Sequence, residues 1–185
     1  MKWMCVSILA VFCSRTYAEA PAVSTWQAEP KPRLIVLTDI SNEPDDEESM
    51  VRLMVYSNEF DIEGLVATTS TWLRKNTRED LIRRQIEAYS QVRENQLKHA
   101  AGYPTKEQLL AVTKTGQTEY GMAAVGEGKS TEGSRLILAA VDKADDRPLW
   151  VTAWGGTNTL AQALSDARRE RSAETPSCRG GSRSR

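Results

Sequence analysis

Only one histidine and three cysteines occur in 185 residues, and that scarcity excludes several chemistries at once. A Ser-His-Asp triad or an imidazole-based zinc site would have to be built around His99 alone, and no neighbouring spacing supports either. Strong charge of one sign is missing too. A formal net charge of −1 gives no electrostatic case for nucleic acid or for an anionic membrane surface. No apolar run is long enough to span a bilayer, which argues against stable membrane association. Internal repeats and heptad register are absent. What is left, with 40% hydrophobic residues, is the composition of one ordinary globular domain.

The amino end reads as a targeting segment. Lys2 precedes an apolar stretch over residues 3–13, and the small residues Ala18 and Ala20 follow as a cleavage site requires. Residues 1–20 are therefore expected to be a signal peptide and 21–32 a Pro-containing leader, making the protein secreted or periplasmic. Cys5 and Cys13 would leave with the signal, so Cys178 alone remains and no intrachain disulfide can form.

Beyond the leader, residues 33–38 form a continuous apolar run of the kind buried on both faces of a parallel sheet. Asp45 or Asp46 opens a helix with Met50, Val51, Met54 and Val55 at helical spacing, and residues 62–68 make a second strand in which Gly64 predicts close approach of a neighbouring backbone. Thr77 with Asp80, and Thr105 with Gln108, carry the capping-box spacing ahead of further helices. Residues 114–133, rich in Gly, Thr and Glu, read as a long loop able to act as a lid. Helix, strand (148–153), a turn at Trp154-Gly155-Gly156 and a last helix to about Arg169 complete an alternation that predicts a parallel α/β sheet with right-handed crossovers. From about residue 172 the pattern vanishes, which predicts a disordered tail.

The chemistry concentrates where the first strand ends. Asp39, Glu43, Asp45 and Asp46 fall within one loop, and carboxylates this crowded repel unless a cation or shared protons compensate them. An all-oxygen set suits Ca²⁺, or Mg²⁺, rather than zinc. Asp and Glu in a first helical turn also complement the helix dipole, and that reading suffices for Glu47 and Glu48. For Asp39, Asp45 and Asp46 a ligand-binding role is expected, because open α/β sheets bind ligands at the carboxyl ends of their strands. Trp72 and Trp154 follow strand ends on that side, where an indole face can either stack on a sugar or base or pack at the sheet edge, whereas Trp150, inside its strand, is expected to pack.

The stretch Leu37-Thr38-Asp39-Ile40-Ser41-Asn42-Glu43-Pro44-Asp45-Asp46 resembles the amino-terminal motif of the nucleoside-hydrolase-like domain of bacterial cellulose-binding proteins. Segments 64–74, 98–104, 121–129 and 148–163 resemble the same family in order, so the likeness runs from about Pro32 to Arg171. It implies a parallel-sheet, Rossmann-like α/β fold of nucleoside-hydrolase type, incomplete at its carboxyl end because the family's later His-Asp pair has no counterpart before Arg185. It also implies metal carboxylates at Asp39 and Asp46, with Asp45 on the metal or on sugar hydroxyls. The main-chain carbonyl of Trp154 completes the shell, and Asp39 is the base for water. Asn42, Asp45, Trp72 and Asn158 are the implied substrate contacts, and Ser70 or Thr71 replaces the hydrolases' usual Asn.

Two functions are therefore expected to compete. One is a secreted, metal-dependent hydrolase of an N-glycosidic or related glycosidic bond, acting on a nucleoside or carbohydrate. The other is a non-catalytic cellulose- or carbohydrate-binding module, or an inactive truncated fragment. The oligomeric state is left open by the sequence.

Overall fold

A computed structural model describes residues 30–41 and 43–174. The expected signal peptide, most of the leader, Asn42, Cys178 and the tail from residue 175 lie outside the described residues. Strand β1 (Arg33–Thr38) is buried along its whole length, because it has a parallel strand on each side and helices on both faces. Its alternation feeds two cores. Leu34 and Val36 pack with Met50, Leu53 and Met54 of α1 (Pro44–Val55) and with Ile82, Ile86 and Tyr89 of α2 (Glu79–Gln96). Ile35 and Leu37 point the other way, onto Ile137 and Ala140 of α4 (Glu132–Val141) and Ala163 of α5 (Asn158–Glu174).

The sheet has four strands in the order β3-β2-β1-β4, all parallel, with β2 at Asp61–Ala67, β3 at Thr113–Thr115 and β4 at Leu149–Ala153. The α/β class expected from the sequence is the class observed. Strand β3 falls at the start of the expected long loop; three residues are too few to show a period of two. The rest of that loop holds a single 3-10 turn at Met122–Ala124.

Four local expectations need correction. Helix α2 begins at Glu79 with Arg78 in the cap position and no side-chain cap, so Thr77 stands one residue too early to form a box. Asp80 instead accepts two hydrogen bonds from Arg78, at 2.9 Å each. The Thr105–Gln108 box does form, at the head of α3 (Lys106–Ala111). At Gly64 the close neighbour is a side chain: a Cβ there would lie 2.7 Å from Leu136 Cδ2. Trp150 does not pack; it is 63% exposed, on a strand that is at the edge of the sheet among the described residues. Helix α5 also runs on to Glu174, past its expected end.

At the amino end of the sheet a buried ionic network ties the strands together. Arg33, 2% exposed, donates to both oxygens of Glu63 on β2 (2.7 and 3.0 Å) and to the carbonyls of Ala140 (2.5 Å) and Arg147 (3.2 Å). Arg147 in turn bridges Asp145 and Asp61. The Arg33 guanidinium, then Lys143, holds the Glu63 carboxyl below its ordinary value of 4.5, against the opposing effect of burial. A carboxylate whose folded pKa is depressed contributes stability above its unfolded value, lost as pH falls through the folded one. Urea unfolding of Glu63→Gln should therefore differ most from the native chain above pH 4.5 and converge with it in stronger acid; a constant difference across that range would contradict the assignment.

Candidate functional site

The carboxyl ends of β1, β2 and β4 converge on a cleft of about 290 Å³, lined among others by Asp39, Asp45, Asp46, Ser70, Trp72 and Gly155. Strand β1 delivers Asp39 there directly. Helix α1 starts at Pro44, whose fixed φ suits a first helical turn, and this places Asp45 exposed at the rim and Asp46 buried at 7% exposure. Thr38 Oγ1 donates to Asp46 Oδ2 at 2.5 Å while accepting the N–H of Ile40 at 3.1 Å, so the last strand residue fixes the carboxylate of the following helix.

Asp39 is held by two devices. Ser70 Oγ donates to Asp39 Oδ2, and the same oxygen accepts the N–H groups of Trp72 (3.0 Å) and Leu73 (3.1 Å), which aims its proton at the carboxylate. On the other side Gly155 abuts Asp39: a Cβ would fall 2.4 Å from Oδ1. Gly156 lies equally close to β2, its N–H donating to Thr69 O at 3.1 Å. The Gly-Gly turn thus exists because two backbones and a carboxylate meet there. Burial pushes the Asp46 carboxyl above its ordinary 3.8; the Thr38 hydroxyl opposes this, and the charges of Asp39 and Asp45 reinforce it.

The other candidates divide. Trp72, 69% exposed, stands on the rim of the cleft with Tyr120. Trp154 continues β4 by donating its N–H to Leu37 O at 2.8 Å, and its indole is half-buried against the α1 and α2 core, so it is as much packing as wall. Asn158 is buried and spends its Nδ2 on Thr69 Oγ1 (3.1 Å) and Glu119 O (2.7 Å), tying the end of β2 to the loop after β3; it lines a neighbouring cleft rather than the one around Asp39. Asn42 is outside the described residues. Among the described residues no three His, Cys, Asp or Glu side chains are grouped to hold a metal ion.

Sequence reasoning left out Thr38, Tyr120 and the carboxylate contact of Gly155. The wall carrying Tyr120 forms where residues 70–76 run against 117–120: Asn76 N–H donates to Thr118 O (2.8 Å), Tyr120 N–H to Arg74 O (3.0 Å), and Arg74 lies 5.8 Å over the Tyr120 ring. These are long-range pairings, and no local pattern announces them.

Residues 33–179 match the family described as cellulose-binding Sde182, nucleoside hydrolase-like domain. A solved structure of a nucleoside hydrolase-related hypothetical protein from Saccharophagus degradans, associated with carbohydrate metabolism, is 46% identical and superposes with a TM-score of 0.74 over 76% of this chain. The chain spans 34% of that protein's length. No curated protein matches the sequence significantly.

Because its folded pKa is raised, Asp46 destabilises the fold once ionised: stability falls as pH climbs from 3.8 through the raised value and stays lower at neutral pH. In chelator, Asp46→Asn should be more stable than the native chain at pH 7 by about 1 kcal/mol, with the gain shrinking toward pH 3.8. Thermal melts across that range check this; a variant less stable at neutral pH would overturn the assignment.

Proposed function

The chain belongs to the cellulose-binding Sde182, nucleoside hydrolase-like family, and from that premise we propose that it binds a carbohydrate at the strand-end carboxylate cleft and hydrolyses a glycosidic bond there, N-glycosidic or related. The observation carrying this reading is the pair Asp39 and Asp46, each fixed by a hydroxyl donor from a strand end and both opening into one polar cleft. Two carboxylates, the buried and unpartnered Ser41 Oγ, and the cradle at Gly155 fit a hard cation such as Ca²⁺, or Mg²⁺, in the kind of donor offered. Asp39 and Asp46 would hold it, with Asp45 at the rim and the Trp154 carbonyl as supporting donors. Such an ion, when bound, would offset the repulsion of the pair and orient sugar hydroxyls.

Within this proposal the side chains act as follows. Ser70 keeps its proton on Asp39 Oδ2, which orients the carboxylate. The bond from the anomeric carbon to the leaving group breaks with its electron pair on the leaving atom, which takes a proton from solvent; the negative charge of Asp45 and Asp46 stabilises the positive charge that develops at that carbon, and Asp39 takes the proton of the water that adds to it. Asp46, desolvated and steadied by Thr38, serves binding rather than proton transfer. Trp72 offers its exposed face to a sugar ring at the cleft mouth. The ligand reading is extended to export: a carbohydrate partner outside the cytoplasm agrees with the signal-like amino end.

A second reading, binding without turnover, is favoured by the lack of a third grouped acidic or imidazole donor among the described residues. Retention on insoluble cellulose and release of sugar from nucleosides and aryl glycosides, measured on the same preparation with Ca²⁺, separate the two. Trp72→Ala is expected to weaken retention about 3- to 10-fold, and Asp39→Asn to lower any turnover by about 100-fold or more while leaving retention nearly unchanged. Retention with no product from any substrate would select the second reading; neither retention nor product would defeat both.

A further inference from the structure

A second cleft, of about 350 Å³, adjoins the one around Asp39 and shares Tyr120, Gly155 and Gly156 with it, so the two are continuous across the Gly-Gly turn. Tyr120 stands between them, 41% exposed, its hydroxyl accepting from Thr71 Oγ1 at 3.2 Å. Met122, 70% exposed, and Ala161 of α5 add apolar wall that belongs to the second cleft alone. The two differ sharply in charge. Asp39, Glu43, Asp45 and Asp46 line the first, whereas among the described residues no charged side chain lines the second. Its walls are also fixed in place. Gln162, fully buried on α5, donates to Gly126 O (2.9 Å) and accepts the Gly126 N–H (2.8 Å), and Asp166 accepts from Ser130 Oγ at 2.7 Å, so the loop carrying Tyr120 and Met122 is bolted to the helix that carries Ala161. One polar atom there is unspent: Asn158 Oδ1 is buried without a partner, 3.5 Å from where a Cβ on Gly156 would stand.

We propose that this second cleft is a further sugar subsite, so that the ligand is a neutral glycan of at least two units, one at the carboxylates and the next over Gly156 against Tyr120 and Met122. The inference rests on the carbohydrate reading of the carboxylate cleft. Size requires a second place: at about 290 Å³ the first cleft is at the floor of the range small-molecule sites occupy, roughly 300–1,000 Å³, and holds little beyond one unit. Chemistry selects the occupant. An exposed tyrosine and methionine offer apolar surface to the C–H face of a sugar ring, and the absence of charge among the described lining residues gives a phosphate or a uronic acid nothing to pair with. A buried acceptor without a partner calls for a donor, and a sugar hydroxyl seated over Gly156 is a donor of the right kind for Asn158 Oδ1. Because Gln162 and Asp166 hold the loop in place beforehand, little ordering of the chain opposes binding.

The test titrates the full 185-residue chain, with Ca²⁺ present, against glucose, cellobiose and inosine while amide resonances are followed by NMR. Cellobiose should bind about tenfold more tightly than glucose, and the amides of Met122, Gly156 and Ala161 should shift with the disaccharide and stay in place with the monosaccharide. Ala161→Gln, which fills the second cleft from the helix, should bring cellobiose down to the affinity of glucose. Met122→Ala, which removes wall instead of adding bulk, should reduce the gain in the same direction, with melting temperatures of both variants within a few degrees of the native chain. Equal affinity for the two sugars, or a gain that survives Ala161→Gln, would overturn the subsite and leave the carboxylate-cleft reading standing. Inosine shifting Met122 and Ala161 where cellobiose does not would overturn it in favour of a nucleobase. No binding of either sugar would overturn the subsite and the carbohydrate reading together.

Discussion

The structure depends on a single constraint: β1 is buried on both faces and runs straight into Asp39. A strand with neighbours on both sides and helices on both faces cannot let its last residues drift, so the first polar side chain after it is carried to the edge of a low-dielectric interior. Helix α1, returning at once from Pro44, brings Asp46 to the same place. Two carboxylates are thereby forced together by the topology of the backbone, and the surrounding hydroxyls of Thr38 and Ser70 fix them without removing their charge. Such an arrangement costs stability, and its persistence is understandable when ligand binding supplies the compensation.

The two ends of the sheet have opposite electrostatic characters. At the amino end Arg33, Glu63, Lys143, Asp145 and Arg147 alternate in sign, and Glu63 and Asp145 are held below their ordinary values by the cations they touch. At the carboxyl end the Asp46 carboxyl is raised by burial, and among the described residues no cationic side chain lines the cleft around it. The ionic network lies at the first end and the proposed ligand chemistry at the second, the division expected of a parallel α/β sheet.

Most of the fold could be read from the sequence because it rests on local signals. The apolar run at 33–38 and the Thr105–Gln108 cap each lie within one element, and each is found where the pattern puts it. Strand β3 was hidden by its length, and Trp150 misled because being in a strand does not say whether the strand is central or at an edge. In the site, the acidic residues were conspicuous as a sequence cluster. Their supports were not: Ser70 reaches Asp39 from 31 residues away, Gly155 from farther still, and Tyr120 owes its place to a pairing between two loops. Asn158 has a structural part that its motif does not announce: its Nδ2 ties two loops together.

Binding at the carboxylate pair is the claim on which the functional account stands, and mass action gives it a direct readout: a ligand bound only by the folded state raises stability as its concentration exceeds its dissociation constant. The decisive measurement is the melting temperature of the chain against rising Ca²⁺, with Asp46→Ala alongside. The account predicts a saturable rise, on the order of 5 °C at a hundredfold excess over the dissociation constant, that is abolished in the variant. A flat response in the native chain, or an equal rise in both, would contradict it.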